Sequence, residues 1–298
     1  MMLTFFLLSL LLEPPNDLYR QDNLVAWCIV PFDLKDRGPE ERVAMLKRLG
    51  IKRYAYDWRD KHLPTFETEV KLLIKEGIQL QAVWFPTTLN QDAEKILDIL
   101  KRNKIRTELW VSLDDPKGAD DTDKIRKAVE ALMPLIIAAD NAGCTLCLYN
   151  HGGWMGDPNI LIQLLLKIDA TPNNNTKITP SPGLIFNLHH GHAYIESFPE
   201  VMKKLKPYLK CVSLNGMVPK GDQQGKKILP IGAGTEDLRL MKIIRESGYN
   251  GPIAILGHVH EVDVEDRLKD NLDGLNWLKA QLDGQPAGAK PNYRTYRP

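Results

Sequence analysis

The sequence has little that would mark a membrane, nucleic-acid-binding or disulfide-rich protein. Its formal net charge is +1, so no basic surplus favours nucleic acid and no acidic tail suggests a solvating role. No apolar run reaches the roughly 18 residues of a transmembrane helix, so none is expected beyond the N-terminus. Hydrophobic residues make up 43% and charged residues 26% of the 298 residues. This composition is typical of a soluble globular protein.

Cysteine is scarce, with four residues in the whole chain. Cys144 and Cys147 form a CxxC pattern, but on an extended strand three residues span about 10 Å, which is beyond disulfide reach. A redox CxxC belongs at a helix start, and this one lies within a predicted strand. Cys28 and Cys211 also fall within predicted strands. The sequence therefore predicts four buried free cysteines and leaves the redox compartment open.

What is present is an alternation of short apolar runs with amphipathic stretches, repeated eight times. The predicted strands are 24–30, 53–57, 79–85, 106–113, 144–150, 183–188, 210–214 and 252–256. The predicted helices are 39–49, 65–76, 92–102, 122–141, 158–168, 198–205, 235–247 and 264–281. Strands that alternate with helices of ten or more residues indicate parallel βαβ units, and eight units predict a closed (β/α)8 TIM barrel in a single α/β domain.

The barrel domain is predicted over residues 21–283. No GxGxxG follows the first strand, which weakens a dinucleotide-binding fold. Residues 284–298 are rich in glycine, proline and basic residues, so we expect an extended arm. Residues 1–20 form a leader or extension in which 3–12 are nearly all apolar. That length suits a signal-peptide core and predicts export to the periplasm, but no basic residue precedes the run and no small-x-small site follows it. A cytoplasmic protein with a packed N-terminal helix is the alternative.

All seven histidines lie where predicted strands end, and the carboxyl ends of barrel strands carry the active site in such folds. The densest group is His189, His190 and His192, after the sixth strand. Neutral imidazole is the commonest metal ligand, and it titrates near neutral pH. At most two of these three could share one metal, and a solvated turn is the alternative.

Three other strand ends also carry histidine, and one of them is the second strand, which is followed by His62. His151 precedes two glycines after the fifth strand, which indicates a tight loop that presents its side chain. His258 and His260 follow the eighth strand, and His258 is the nearer to it. A hydrogen-bonded structural histidine is the alternative at each position.

Aromatic and polar side chains add to this face. Asp57 and Arg59 follow the second strand, Trp84 ends the third, Trp154 follows the fifth and Asn215 follows the seventh. Aromatic faces beside polar groups suit the apolar C–H faces of sugar rings. The alternative is that the tryptophans plug the barrel mouth. The stretch 231–237 could pass for a phosphate cradle, but its acidic residues at a helix start would repel phosphate.

The chain resembles the xylose isomerase-like TIM-barrel superfamily over roughly residues 24–282. The resemblance is specific in the second half of the chain and loose in the first. It rests on the ordered motifs LCLYNHGGW at 146–154, GLIFNLHHGHA at 183–193, VSLNGM at 212–217, the stretch 228–258 that ends in AILGH, and EDRL at 265–268. The resemblance implies a sugar isomerase or epimerase. It also implies a divalent metal (Mn, Zn or Mg) that is held by glutamate, aspartate and histidine at strand ends.

The chain departs from that pattern at the carboxylate ligands. Tyr149 and Asn187 stand where the family has glutamate and aspartate, and Gly257 or His258 stands where it has a second glutamate. Either histidines replace the carboxylates or the metal is gone. On the first interpretation, the predicted metal ligands are His151, His190 and His258 and the catalytic residues are His189, His192 and Asp57. The predicted substrate contacts are Arg59, Trp84, Trp154, Asn187 and Asn215.

These observations predict a metal-dependent, isomerase- or epimerase-like enzyme that abstracts a proton next to a sugar carbonyl. A lyase acting on keto-sugars or keto-glycosides by the same abstraction is the runner-up. A non-catalytic sugar-binding barrel and a histidine-site hydrolase are further alternatives. The expected partner is a small carbohydrate, with no nucleic acid and no integral membrane span.

Overall fold

The computed structural model describes residues 17–171 and 181–297, which form a closed barrel of eight parallel strands in chain order. The strands are Leu24–Trp27 (β1), Arg53–Tyr56 (β2), Gln79–Trp84 (β3), Glu108–Val111 (β4), Thr145–Tyr149 (β5), Gly183–Asn187 (β6), Leu209–Leu214 (β7) and Ile253–Leu256 (β8). The helices are Pro39–Arg48 (α1), Phe66–Glu76 (α2), Gln91–Arg102 (α3), Asp121–Asn141 (α4), Pro158–Asp169 (α5), Phe198–Leu205 (α6), Asp237–Glu246 (α7) and Val264–Leu282 (α8). The predicted (β/α)8 barrel is confirmed.

Strand side chains alternate between two apolar layers, because successive residues of a strand point to opposite faces. One layer fills the barrel interior and contains Val25, Trp27, Ala55, Ala82, Trp110, Cys147, Tyr149, Ile185, Cys211, Ala254 and Leu256. The other lies between the strands and the helix ring, where Ile253 and Ile255 belong to the same core as Leu268 and Leu275 of α8. The interior is a packed core, and the carboxyl ends of the strands form the face on which such barrels bind ligands.

Local sequence signals set the helix ends. The Asn90 side chain accepts the Ala93 N–H at 2.9 Å, and the Asp120 side chain accepts the Asp123 N–H at 2.9 Å, so both satisfy free donors at helix starts. Gly77 ends α2 in the left-handed conformation, at φ 66°. These signals are why the predicted and observed helices agree within two residues at either end.

Two predicted boundaries were wrong for identifiable reasons. The first strand was expected to reach residue 30, but β1 ends at Trp27 because Cys28 takes a positive φ of 56° and turns the chain. Helix α7 was expected to begin at residue 235 and begins at Asp237. The loop before it is organised by the Asp237 carboxyl group, which accepts the N–H groups of Met217, Gly232 and Gly234.

The described residues after 283 form no helix or strand, and part of this segment lies against α8. Thr295 donates both its N–H and its hydroxyl to Asp270, and Arg294 pairs with Asp270 and Asp273. All four cysteines are buried and free, as predicted. No helix in the described part of the chain is long and apolar enough to cross a membrane. The apolar run at 3–12 lies outside the described residues, so export stays a prediction.

Candidate active site

A cavity of about 370 Å³ opens above the carboxyl ends of the strands. Its lining consists of Trp27, Cys28, Phe32, Asp57, Arg59, Trp84, Tyr149, His151, His189, His190, Lys227, Ile228 and His258. The volume falls within the range of small-molecule sites, and aromatic walls with a few polar groups are typical of them. Four of the seven strand-end histidines, His151, His189, His190 and His258, therefore line one cavity, because the barrel brings the ends of β5, β6 and β8 to the same face.

The imidazole rings form a chain across the cavity. His151 and His190 have ring centroids 4.5 Å apart, and those of His189 and His190 are 3.6 Å apart. His189 is 5.8 Å from His258, which stacks on Phe32 at 3.7 Å. Several imidazoles in this small volume disfavour protonation of one another, because like charges repel.

Burial keeps these histidines neutral. It lowers the pKa of His190 to about 3 and the pKa of His258 to about 4, with neighbouring histidines and Lys227 adding to the effect. The pKa of His189 lies well below its usual range, and that of His151 is also lowered, in both cases mainly by burial. Near neutral pH these rings can therefore donate or accept hydrogen bonds without carrying charge.

Asp57 is the one carboxyl-bearing residue among the described residues that line the cavity. It is 3% exposed, and burial raises its pKa to about 7 against the opposing effects of the Val30 N–H and Arg59. Its Oδ1 accepts the Val30 N–H at 3.2 Å, while its Oδ2 has no hydrogen-bond partner. The Asp57 side chain lines the cavity, but because Oδ2 itself is buried, a ligand contacts this oxygen only if the side chains that cover it move.

A hydrogen-bonded group of neutral side chains forms the floor of the cavity. The Tyr149 hydroxyl accepts a hydrogen bond from the Asn187 amide and another from Trp27 Nε1 at 3.3 Å. Asn150 exchanges hydrogen bonds with the Asn187 main chain at 2.7 and 3.1 Å. Tyr149 and Asn187 are thus paired with each other at the two positions where the resemblance implies carboxylate ligands.

Four predicted site residues lie outside the lining of this cavity. Trp154 is held by Asp121, whose carboxylate accepts the indole N–H at 2.7 Å. Asn187 lies below the cavity in the network just described. His192 and Asn215 lie behind the β7–α7 loop, where both hydrogen-bond to the Lys227 carbonyl oxygen at 2.9 and 3.3 Å. The predicted roles of these four residues in chemistry or binding stay untested.

Several lining residues were missed by the sequence analysis: Trp27, Cys28, Phe32, Lys227 and Ile228. Trp27 ends a strand and could have been found by the rule applied to Trp84. Cys28 owes its position to a positive φ, a conformation that concentrates at functional sites but leaves no mark in the sequence. Lys227 and Ile228 belong to a long loop that folds back through a bridge between Gly216 and Leu229.

The predicted metal site was tested against the donor set. In the described part of the chain, no three histidine, cysteine, aspartate or glutamate side chains are grouped so as to hold a metal ion. His151 and His190 are adjacent, whereas the ring neighbours of His258 include His189, Phe32 and His260. The arranged donors do not fit the three-histidine site, so the assignment of these residues as ligands has no structural support and stays a prediction.

Comparisons with known proteins give the fold. No protein-family model and no curated protein matches the sequence. A 3-keto-D-glucoside 4-epimerase from E. coli aligns with a TM-score of 0.62 and 13% identity, over 87% of this chain and 99% of that one. The IOLI protein with a bound zinc atom aligns at 0.63 and 11%, over 87% and 98%.

A third solved structure has the same architecture. It is a xylose isomerase-like TIM-barrel protein from Mycobacterium smegmatis in complex with magnesium, with a TM-score of 0.54, 16% identity and coverage of 84% and 92%. Some structural neighbours therefore bind zinc or magnesium. The chain shares the fold of xylose isomerase-like TIM barrels, and its strand-end cavity lies on the face where such barrels carry their chemistry.

Proposed function

We propose that the protein is an isomerase- or epimerase-like enzyme that moves a proton on the carbon next to a sugar carbonyl. The observation that carries the proposal is Asp57: a buried carboxyl group in the cavity, with one unpartnered oxygen and a pKa of about 7. A general base works best when its pKa lies near the working pH. The aromatic walls formed by Trp27, Trp84 and Phe32 suit the C–H faces of a sugar ring.

The proton balance of the step is simple. Asp57 Oδ2 takes the proton from the carbon next to the carbonyl, and the C–H electron pair becomes the C=C bond of an enolate. The carbonyl oxygen gains the negative charge. A neutral imidazole can stabilise that oxygen by donating an N–H, since it has a proton to share and need not lose a charge. Return of the proton to the opposite face of the same carbon gives the epimer. The isomer forms when the hydroxyl group on that carbon passes its proton to the enolate oxygen and the carbon-bound proton returns to the former carbonyl carbon.

His189 is the imidazole best placed for this role. It is 4% exposed, lines the cavity and has an Nδ1 atom without a hydrogen-bond partner. Its lowered pKa keeps it neutral. His190 packs against it and excludes water from one side of the ring. The structural neighbours that are sugar epimerases make a carbohydrate the first class of substrate to try.

The test is exchange of substrate C–H with solvent deuterium, followed by NMR. The first sugars to try are D-fructose, D-psicose and a 3-keto-D-glucoside. Two structural neighbours are a 3-keto-D-glucoside 4-epimerase and a D-psicose 3-epimerase solved in the presence of D-fructose. Asp57→Asn should lower the exchange rate by a factor of about 100 or more, the usual contribution of a positioned base. Asp60→Asn removes an exposed acid from the same segment and should keep the parent rate.

A sugar that binds to the parent protein without exchanging any C–H would contradict the proposal and favour a sugar-binding barrel. Exchange that survives in Asp57→Asn would leave the reaction class standing but would remove Asp57 as its base.

A further inference from the structure

The cavity is unbalanced in charge. Among its described lining residues, Arg59 and Lys227 carry permanent positive charges and Asp57 carries the one carboxyl group, which is partly protonated near pH 7. The four lining histidines are neutral, as their lowered pKa values require. A cavity with this excess of positive charge attracts an anionic ligand over a neutral one.

The Lys227 ammonium group is positioned by its main chain. The Lys227 carbonyl oxygen accepts hydrogen bonds from the buried side chains of His192 at 2.9 Å and Asn215 at 3.3 Å. The next carbonyl, that of Ile228, accepts a hydrogen bond at 3.1 Å from Arg267, which is 1% exposed. Three buried polar groups thus fix the loop where it delivers Lys227 to the cavity.

Lys227 acts on the interior of the cavity. Its charge contributes to the lowered pKa of His151, His189, His190 and His258 alike. Lys227 is an exposed residue that also belongs to the cavity lining, so its charge acts at the mouth of the cavity. Its neighbour Lys226 is also exposed but is not part of the lining.

Arg59 is positioned by contacts of its own. Its Nη1 donates to the carbonyl oxygens of Asp57 at 3.0 Å and Trp58 at 2.7 Å, and its main-chain N–H donates to His62 Nδ1 at 2.9 Å. The guanidinium carbon lies 5.7 Å from the centre of the Phe32 ring. These contacts hold Nη1, whereas Nη2 has no hydrogen-bond partner among the described residues and is free to bind an anion.

We propose that Arg59 and Lys227 form an anion subsite and that the substrate is a sugar carrying one carboxylate or phosphate group. This inference rests on the proposed function for the sugar and adds the charged group. Guanidinium and ammonium groups are the usual partners of carboxylate and phosphate. Asp57 and His189 line the same cavity as Arg59 and Lys227, so an anionic group held by the two cations keeps the rest of the ligand close to these two residues.

The test is calorimetric binding of D-glucuronate, D-glucose 6-phosphate and D-glucose, which differ at the anionic group. At least one anion should bind about tenfold more tightly than D-glucose, the usual order for a charge-assisted contact. Lys227→Met and Arg59→Met should each weaken that anion about tenfold while the affinity for D-glucose stays unchanged. Lys226→Met is the matched control and should bind like the parent. Whichever anion is preferred identifies the group as carboxylate or phosphate.

Equal affinity for D-glucose and both anions, or no binding of either anion, would overturn the subsite. So would equal weakening of D-glucose and the anion in Lys227→Met, because a charge contact affects only the anion. These outcomes do not depend on catalysis. Deuterium exchange on a neutral ketose together with absent anion binding would leave the proposed function intact and overturn the subsite. Anion binding without exchange of any bound sugar would support the subsite and contradict the proposed function.

Discussion

Asp57 and Asp237 are two buried carboxyl groups whose pKa is raised to about 7 by the same cause, burial. Their surroundings differ. Asp237 accepts three main-chain N–H groups, at 2.6, 2.7 and 3.1 Å, and so ties together the loop before α7. Asp57 lines the cavity, accepts one N–H group and keeps one buried oxygen without a hydrogen-bond partner. A raised pKa therefore does not mark a catalytic base by itself; hydrogen-bonding capacity left open to a ligand does.

The same comparison explains the glycine-rich stretch 231–237. It has the composition of a phosphate cradle, and its N–H groups do bind a carboxylate. That carboxylate belongs to the chain itself, since Asp237 accepts the N–H groups of Gly232 and Gly234. The site is filled from within, so no external phosphate is expected there.

The largest effect on stability is expected from Asp237→Asn, which should lower the free energy of unfolding by about 3 kcal/mol. An amide has one acceptor oxygen, so at least one buried N–H loses its partner and the amide NH₂ faces another donor. Asp57→Asn keeps an oxygen for the Val30 N–H and should change stability by less than about 1 kcal/mol. Both figures refer to about pH 4, where the two carboxyl groups are protonated in the folded chain. Urea unfolding of both variants measures the difference. Equal losses would mean that the two carboxyl groups are equivalent structural elements.

A second comparison is given by the pH dependence of stability. The folded-state pKa of Asp57, about 7, lies above the ordinary value of 3.8, so its contribution is fully present at low pH and is lost as the pH rises to 7. Asp57→Asn removes this loss. Its stability relative to the parent should therefore rise by about 1.4 kcal/mol per pH unit across that window.

Unfolding in urea at several pH values across the window gives this slope. Asp237→Asn should show the same slope from a lower starting stability, because the pKa of Asp237 is raised equally. A flat difference for Asp57→Asn would mean that its pKa is unperturbed.

Metal removal should have the smallest effect. Because no described group of three donors is arranged to hold a metal ion, treatment with EDTA should leave the deuterium exchange rate unchanged. Elemental analysis of His151→Ala and His190→Ala provides the complement. If the parent protein contains a stoichiometric metal and either variant loses it, the prediction that these histidines are metal ligands is supported. The metal would then act beside Asp57 in the mechanism.

Most of the fold followed from local sequence patterns. The eight apolar runs, the capping residues Asn90 and Asp120, and the stop at Gly77 all act within a few residues, so a single sequence contains them. The histidines at strand ends followed from the barrel itself, which sends every strand end to one face. His151, His189, His190 and His258 do line one cavity.

The rest of the site depends on tertiary placement. His192 and Asn215 follow strands as His189 does, yet both turn away to hold the Lys227 carbonyl. A strand end gives the neighbourhood of a side chain but not its direction. Lys227 itself enters from the middle of the β7–α7 loop, and no local pattern records that the loop folds back over the cavity.

The central claim, that Asp57 differs from Asp237 in being open to a ligand, is tested most directly by NMR titration of protein with labelled aspartate carboxyl carbons. Two resonances should titrate near pH 7, one lost in Asp57→Asn and the other in Asp237→Asn. A sugar that binds should shift the Asp57 titration and leave that of Asp237 in place. An Asp57 resonance that titrates at the ordinary value near 3.8, or equal shifts of both resonances by the sugar, would contradict the account.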